Sequence, residues 1–470
     1  DNIQKRPKKV LSVFTLVMIN MIAVDSIRAL PISAEYGLSL VFYYVLGAIL
    51  FMIPSALAAA EMSTGWPKAG GVYIWVREAF GLKLGFLAAW LLWIYNIVWY
   101  PTILSLLAST FFYIFGPSFG SAYAHNKEVI FFIVVIMYFL ATLVNCFGMG
   151  SSGKISNFCS IVGTIFPITL IIVLGFVWLK DGRALSIDVN LVNIVPKIHN
   201  INQLSILTGM LFGLVGMEMT AIHAQDVKNP SKDYPKALLI STIFILVTSI
   251  LGSLAIAIVI PRETLHLSSA VIDSFGVFFK AYNMSGMIPV IAICIIIGGF
   301  GGVSAWIIGP SKCMLIACED GSFPKMFSKV NNKGVPINLL ILQGLVFLCM
   351  SFLFLFFPGF NSAYWLLTAI TGELSCLFYI LLFAALIKLK FSRPETARPY
   401  QIPFGKTGVI LVGGVGILTC VFVFTVGLFS PSHISMSSSV VYEFILISGI
   451  VLICIFPFMI KLFVKLSRRN

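Results

Sequence analysis

The chain alternates long apolar runs with short polar connections. A helix needs about 20 apolar residues to cross roughly 30 Å of hydrocarbon, and runs of that length recur along this sequence. The pattern predicts twelve such helices, numbered here as spans 1 to 12: 11–34, 40–61, 84–115, 129–148, 155–179, 203–226, 237–260, 284–316, 338–357, 362–387, 408–429 and 440–461. A transmembrane barrel would instead require alternating segments of about ten residues, which the sequence lacks. An all-α integral membrane protein is therefore expected.

The two halves of the chain correspond to each other. Spans 3 and 8 are the longest, and the connections before them, 65–81 and 261–283, are both amphipathic. An odd number of spans in a repeat inverts the second copy, as in many secondary transporters. The predicted organisation is an N-terminal segment 1–10, a first inverted repeat 11–180 with spans 1 to 5, a second repeat 203–388 with spans 6 to 10, and two further helices with a short tail at 408–470.

Each repeat begins with an interrupted span. Span 1 has two charges and a proline within 25–31, and span 6 has Gly213, Gly216 and Glu218 near its midpoint. Charged residues inside a span usually face the bundle interior or a water-filled path. The N–H and C=O groups of unwound backbone suit the two ends of a zwitterion. The competing interpretation is that the glycines only allow helices to pack closely.

Composition and charge place the protein in a membrane. Hydrophobic residues make up 59% of the chain, charged residues 10%, and the mean hydropathy is +1.01. The first apolar run lacks a small-residue cleavage site, so it is expected to remain as a span. Of the 31 lysines and arginines, 24 lie in the termini and the loops on the same side, which places both termini in the cytoplasm. We expect a multi-pass protein of a cell membrane, in bacteria the inner membrane. The net charge is +13, and the basic residues responsible for it are expected to contact anionic lipid and not nucleic acid.

Metal and enzyme chemistry are not expected. The nine cysteines form no CxxC pair, and the five histidines have no metal-ligand spacing, so we predict neither a metal nor a cofactor. His223, near the end of span 6, is the one histidine that lies near other polar residues. We expect it to have either a titrating or a structural role. No nucleophile and base converge in the pattern, so an enzyme is not predicted.

Several side chains could bind a polar substrate. Asp25 and Arg28 lie three residues apart, so they either pair on one helical face or offer their charges to a substrate. Glu218 and Glu373 add carboxyl groups in spans 6 and 10, either as proton-sensitive groups or as protonated hydrogen-bond donors. Three further side chains are expected to face the pathway from spans 3 and 8: Asn96, Trp99 and Trp306.

Four strings resemble one known family. Segment 61–81, EMSTGWPKAGGVYIWVREAFG, resembles the loop after span 2 of the amino acid–polyamine–organocation (APC) transporters. Segment 216–235, GMEMTAIHAQDVKNPSKDYP, resembles their span 6 and the following loop. The strings AWIIGPSK at 305–312 and NKGVP at 332–336 are similar to the glutamate/GABA antiporter branch. The likeness covers essentially the whole chain.

The resemblance implies a fold like that of the LeuT-type transporters, with spans 1 and 6 broken around the substrate. It implies amino acid transport by alternating access, by a monomer or a homodimer, as an antiporter; a proton- or sodium-coupled symporter is the alternative. The candidate substrate-binding residues are then Asp25, Ser26, Ile27, Arg28, Asn96, Trp99, Gly213, Gly216, Met217, Glu218, Gly302, Trp306, Glu373 and Ser375.

The chain departs from the glutamate/GABA antiporters at several positions, so glutamate specificity is not implied. Gly302 and Ser375 replace an acidic residue and a tyrosine of that branch, and its shorter span-1 break lacks the charges of 25–28. Proton-coupled members have a lysine partway along span 5, and Thr164 lies roughly at that position here, which favours exchange over proton symport; the alternative is a register shift of one turn that places Lys154 there. Too few residues follow span 12 to form the branch's C-terminal plug, unless the sequence is truncated, which the lack of an initial methionine leaves open.

Overall fold

The fold is a bundle of long apolar helices. The computed structural model describes residues 12–68, 70–146, 158–159, 161–219, 227, 229–357, 359–431 and 439–467. Eleven helices in this part of the chain are long and apolar enough to cross a membrane, and they keep the numbers of spans 2 to 12: Gly37–Gly65, Leu82–Phe115, Lys127–Cys146, Ile161–Lys180, Ile201–Met219, Lys232–Ala257, Ser285–Glu319, Ile337–Phe356, Phe360–Ser392, Gly405–Gly427 and Ser439–Ile460. The protein is therefore a multi-pass membrane protein.

Span 1 is not among these eleven helices. It forms two shorter helices, Val13–Val24 and Ala29–Ala34. Neither piece alone has the length of about 20 residues that crossing requires. Of the twelve predicted spans, the first thus consists of two separate pieces, and the other eleven are long and apolar enough to cross a membrane, although the α-helix within span 6 ends at Phe212.

The two amphipathic connections each contain a helix. Val72–Phe80 precedes span 3, and Ala270–Ala281 precedes span 8. The first of these helices is tied to the end of span 8, because Tyr73 and Arg77 both donate hydrogen bonds to the carboxylate of Asp320.

Span 3 lies at the centre of the bundle. Every residue from 88 to 110 is buried, and the helix packs against spans 8 and 10. A helix that is apolar on all sides is typical of such an enclosed position. Its polar atoms find partners inside the bundle: the indole N–H of Trp93 donates to Gln343 of span 9 at 2.9 Å.

Span 10 is longer than the apolar pattern predicts. The prediction ended it at residue 387, whereas the helix runs from Phe360 to Ser392. The additional turn includes Lys390, whose ammonium group is held by a buried carboxylate. A prediction from hydropathy alone ends a helix at the first charged residues, so it could not include this turn.

A buried ionic cluster joins spans 2 and 10 to the segment after span 10. Glu61 accepts hydrogen bonds from Lys390 at 2.9 Å and from Arg398 at 3.0 Å, and its second oxygen accepts one from the backbone N–H of Ile402 at 2.8 Å. Arg398 also donates to the carbonyl of Leu389 at 2.8 Å. We call Glu61, Lys390 and Arg398 the Glu61 cluster. One carboxylate compensates two cations here, so each cation depends on it.

Spans 5 and 8 are in direct backbone contact at two glycines. A Cβ added at Gly163 would lie 2.1 Å from the backbone of Gly298, and a Cβ at Gly298 would lie 2.4 Å from the backbone of Gly163. Small residues allow helices in membranes to approach in this way. Any side chain at either position would force the two helices apart.

Candidate functional site

The break in span 1 begins at Asp25. The N–H of Asp25 still donates to the carbonyl of Met21 at 2.8 Å, but Asp25 itself has an extended backbone, with ψ at 92°. A turn follows, and the helix resumes at Ala29. Pro31 lies in the first turn of the second helix. Backbone N–H groups in a first turn have no acceptor within the helix, so the missing N–H of proline removes no helical hydrogen bond there. The interruption is thus 25–28, shorter than the predicted 25–31.

The break in span 6 begins after Phe212, where the helix Leu207–Phe212 ends. Gly216 has a φ of +125°, which is accessible mainly to glycine. Its N–H donates to the hydroxyl of Tyr379 in span 10 at 3.1 Å, and that hydroxyl donates to the Glu218 carboxylate. The unwound backbone therefore has a side-chain partner from another span. His223 lies outside the described residues.

The two breaks contact each other. A Cβ added at Gly213 would lie 3.0 Å from the Cβ of Ala29, the first residue after the span-1 break. Both interruptions therefore face the same part of the bundle interior. They meet there beside span 3, which supplies Asn96 and Trp99.

Two cavities lie next to the breaks. The first, which we call the arginine cavity, is lined by residues of spans 1, 3, 6 and 8, among them Ser26, Arg28, Asn96, Trp99, Gly213 and Trp306. The second, the aspartate cavity, is lined by residues of spans 1, 3, 5 and 8, among them Asp25, Ser26, Ile27, Trp99, Thr164, Gly302 and Trp306. Nine of the fourteen candidate residues thus line one cavity or both.

An aromatic pair belongs to the walls of both cavities. The rings of Trp99 and Trp306 meet edge to face with their centroids 6.1 Å apart. The side chain of Asn96 is turned back along its own helix, because its Nδ2 donates to the carbonyl of Leu92 at 2.7 Å. The two indole rings are thus shared by the two cavities.

The charges of Asp25 and Arg28 do not pair with each other. Asp25 Oδ2 is 2.9 Å from the Thr248 hydroxyl in span 7, whereas Arg28 Nη1 donates to the Thr368 hydroxyl in span 10 at 3.5 Å. The guanidinium carbon of Arg28 lies 5.2 Å from the centre of the Phe212 ring. The helical pairing weighed from the sequence is therefore wrong for this conformation, because the backbone between the two residues is not helical.

Both groups are buried and incompletely satisfied. Asp25 is 4% exposed and Arg28 is 1% exposed. Asp25 Oδ1 and Arg28 Nε lack a hydrogen-bond partner in the described part of the chain, and no ion pair there includes either residue. Burying an uncompensated charge costs at least several kcal/mol. The arrangement is therefore suited to a polar or charged ligand that would complete it.

Five candidate residues do not line the cavities. Gly216, Met217 and Glu218 follow the span-6 break, with Glu218 held by Tyr379. Glu373 accepts from Thr208 at 3.2 Å and faces span 11, where a Cβ at Gly427 would lie 1.9 Å from its Oε1. Ser375 donates to the carbonyl of Gly372 at 2.7 Å. Glu373 and Ser375 are thus placed away from both cavities.

The sequence interpretation missed the partners of the charged groups. Thr248, Thr368 and Tyr379 hold Asp25, Arg28 and Glu218, respectively. The only sequence signal for each of them is a polar side chain within an apolar span, and many other residues of these spans share that signal. Thr164 had been singled out by its position in span 5, and it lies across the aspartate cavity from span 1.

A double-mutant cycle tests whether Asp25 and Arg28 act independently. We expect the thermal stabilities of Asp25→Ala, Arg28→Ala and the double variant to show a coupling free energy within about 0.5 kcal/mol, because the two side chains share no partner. A cycle of Glu61→Gln and Lys390→Met serves as the positive control, since that pair lies 2.9 Å apart. A double variant that recovers the stability lost in Arg28→Ala would show that the two charges do pair.

Comparison with known proteins agrees with this architecture. A family model described as amino acid permease matches residues 9–452. An uncharacterized transporter of Legionella pneumophila is 46% identical over 96% of both chains. A glutamate/γ-aminobutyrate antiporter of Lactococcus lactis is 27% identical over 96% of this chain and 90% of its own. A probable agmatine/putrescine antiporter of the same species is 24% identical over 86% of this chain and 84% of its own. These relatives are transporters and not enzymes, and the chain belongs to the amino acid permease family within the APC transporters.

Proposed function

We propose that this protein is a secondary active amino acid antiporter. It exchanges an amino acid for another amino acid, or for a decarboxylated amine, by alternating access. The two contacting helix breaks carry this proposal, because they place at cavities inside the bundle a carboxyl and a guanidinium that form no ion pair among the described residues. Opposite charges at two cavities that share Ser26, Trp99 and Trp306 suit the two ends of a zwitterion, and the carboxyl suits an amine.

The named relatives support exchange. The glutamate/γ-aminobutyrate antiporter is named for an amino acid and the amine that its decarboxylation yields, and the agmatine/putrescine antiporter is named for two amines. The proposed substrate-binding residues of this chain are those that line the cavities, with Gly213 and Val215 of the span-6 break as the second wall. The distribution of lysine and arginine supports placement in a cell membrane with both termini in the cytoplasm.

The inverted-repeat organisation is part of the same proposal. Repeats 11–180 and 203–388 each begin with a broken helix, and the breaks meet at Gly213 and Ala29. Rocking of one group of spans against the other would expose the cavities to the two sides in turn.

Counterflow in proteoliposomes tests exchange directly. Vesicles containing the purified protein are loaded with unlabelled amino acids, and the uptake of labelled amino acids is measured without sodium and with equal pH on both sides. Rapid uptake that depends on the internal substrate is expected of an antiporter. Uptake that occurs only with an ion gradient would replace this proposal with obligatory symport.

Trp306→Ala tests where the substrate passes. Trp306 belongs to the walls of both cavities, so we expect its loss to reduce counterflow at least about tenfold, or about 1.4 kcal/mol, while the protein still folds. Trp178→Ala is the matched control, because that indole donates to the carbonyl of Ala184 at the end of span 5 and lines neither cavity. Equal rates for the two variants, at equal thermal stability, would contradict the proposed pathway.

A further inference from the structure

Span 8 contains a proline four residues after Trp306. Pro310 lies inside the helix Ile288–Glu319. In an α-helix each carbonyl accepts from the N–H four residues later, and proline has no N–H to donate. The carbonyl of Trp306 therefore has no donor at that position of its own helix. This defect occurs at the residue whose indole belongs to the walls of both cavities.

A tyrosine of span 3 supplies the missing donor. The hydroxyl of Tyr100 donates to the carbonyl of Trp306 at 2.9 Å. Prolines are tolerated in membrane helices when a neighbouring helix provides a partner for the backbone group that they leave free. Tyr100 is buried and lines neither cavity. Its hydroxyl proton is thus directed to span 8 and not to a ligand.

A second proline shows the same arrangement in span 12. Pro457 lies inside the helix Ser439–Ser467, and the carbonyl four residues earlier belongs to Ile453. That carbonyl accepts a hydrogen bond from the indole N–H of Trp90 at 3.0 Å. Both donors are aromatic side chains of span 3. Ile453 lines neither cavity, however, so the contact in span 8 is the one that bears on the candidate site.

Two consecutive residues of span 3 hold Trp306 at two points. The Trp99 ring meets the indole edge to face, and the Tyr100 hydroxyl binds the carbonyl. The rings of Trp99 and Tyr100 also pack together, with their centroids 5.7 Å apart. The carbonyl and the side chain of a residue share one Cα, so a bond that fixes the carbonyl also fixes the point from which the indole extends. Without the hydroxyl, only the ring contact would remain.

We propose that Tyr100 is a positioning residue for the substrate, because it completes span 8 at the proline defect and thereby holds the Trp306 indole in the shared wall of the two cavities. Tyr100 acts through Trp306 and does not touch the substrate. Removing the hydroxyl leaves a buried carbonyl unpaired, and the helix can then relieve this cost by moving Trp306. The inference rests on the proposed exchange function, to which it adds a residue that sets the shape of the site.

The position of the indole can be followed without transport. Protein labelled with 5-fluorotryptophan is studied by fluorine NMR, and the Trp306 signal is assigned by its absence from Trp306→Phe. We expect Tyr100→Phe, which keeps the ring and removes the hydroxyl, to shift or broaden this signal. Tyr113→Phe is the matched control, because it removes a hydroxyl of the same span that donates to Asp273 at 2.8 Å and lines neither cavity. An unchanged Trp306 signal in Tyr100→Phe would overturn the proposal.

Pro310→Ala is the second test, because alanine restores the N–H that can pair with the Trp306 carbonyl inside span 8. We expect Tyr100→Phe to raise the half-saturating substrate concentration of counterflow about three- to tenfold, the equivalent of one net hydrogen bond. The same substitution should have a much smaller effect in the Pro310→Ala background.

Equal increases in the two backgrounds, or no increase in either, would overturn the proposal. If Tyr100→Phe alone does not fold, recovery of the double variant with the wild-type Trp306 signal supports the proposal, and failure to recover it overturns the proposal. The absence of counterflow in the unaltered protein with every amino acid would instead contradict the exchange function, and the fluorine signals would still decide the role of Tyr100.

Discussion

Replacing Glu61 with alanine is expected to prevent recovery of folded protein. The substitution leaves Lys390 and Arg398 buried without a carboxylate, since Glu61 is the acid that both contact. Removing one partner of a buried ion pair costs about 3 to 5 kcal/mol, and two cations depend on this partner. Total stabilities of about 5 to 15 kcal/mol leave little after such a loss. The effect is measured by the yield and monodispersity of the protein in detergent, and by the thermal unfolding temperature of any protein that is recovered.

Charge-matched variants separate the electrostatic effect from lost packing. Glu61→Gln raises the net charge of the Glu61 cluster from +1 to +2, and adding Lys390→Met returns it to +1. We therefore expect the double variant to be more stable than Glu61→Gln alone. Glu78→Ala is the control, because Glu78 is partly exposed and its pairing with Arg77 at 3.6 Å is of the weak surface type. A double variant less stable than Glu61→Gln would show that the cluster is held mainly by packing.

Gly298→Ala is expected to be strongly destabilising, although it adds one methyl group. The new Cβ would lie 2.4 Å from the backbone of Gly163, which cannot move aside by changing rotamer. Overpacking of this kind costs typically about 1 to 3 kcal/mol, and rigid backbone on both sides places it at the upper end of that range. Thermal unfolding followed by tryptophan fluorescence would report the loss, and counterflow should fall with it because both glycines line the aspartate cavity.

Gly414→Ala provides the matched control for this substitution. Gly414 also lies in a long helix, span 11, but a Cβ at that position meets nothing within 4 Å. Alanine favours a helix over glycine by roughly 0.5 to 1 kcal/mol, so this variant should be neutral or slightly stabilised. Similar losses in Gly298→Ala and Gly414→Ala would mean that spans 5 and 8 can separate at little cost.

Apolar runs predicted most of the fold because a bilayer imposes the length of each helix. Spans 2 to 12 follow the runs closely, and the interruption of span 1 was visible from the charges of 25–28. The extension of span 10 to Ser392 was not, since its last turn depends on a carboxylate in span 2. Local patterns contain no information about such distant pairing.

The candidate site could also be predicted only in part, because a local pattern contains no information about distant partners. The cavity-lining residues of spans 1, 3, 6 and 8 could be identified because polar and aromatic groups stand out in apolar helices. Their partners could not, because Thr248 lies 223 residues from Asp25 and Thr368 lies 340 residues from Arg28. The helical pairing of Asp25 with Arg28 was a reasonable expectation from spacing alone, and it fails because the helix unwinds between them.

The Glu61 cluster also has a consequence for biosynthesis. Lys390 follows Glu61 by 329 residues, and Arg398 follows it by 337. A ribosome adds about 5 to 20 residues per second, so the carboxylate of span 2 emerges roughly 15 to 65 s before its first cationic partner. During that interval Glu61 has neither cation, and span 2 must remain with this residue near water or with another protein. Completion of span 10 is therefore the event that allows this end of span 2 to become buried.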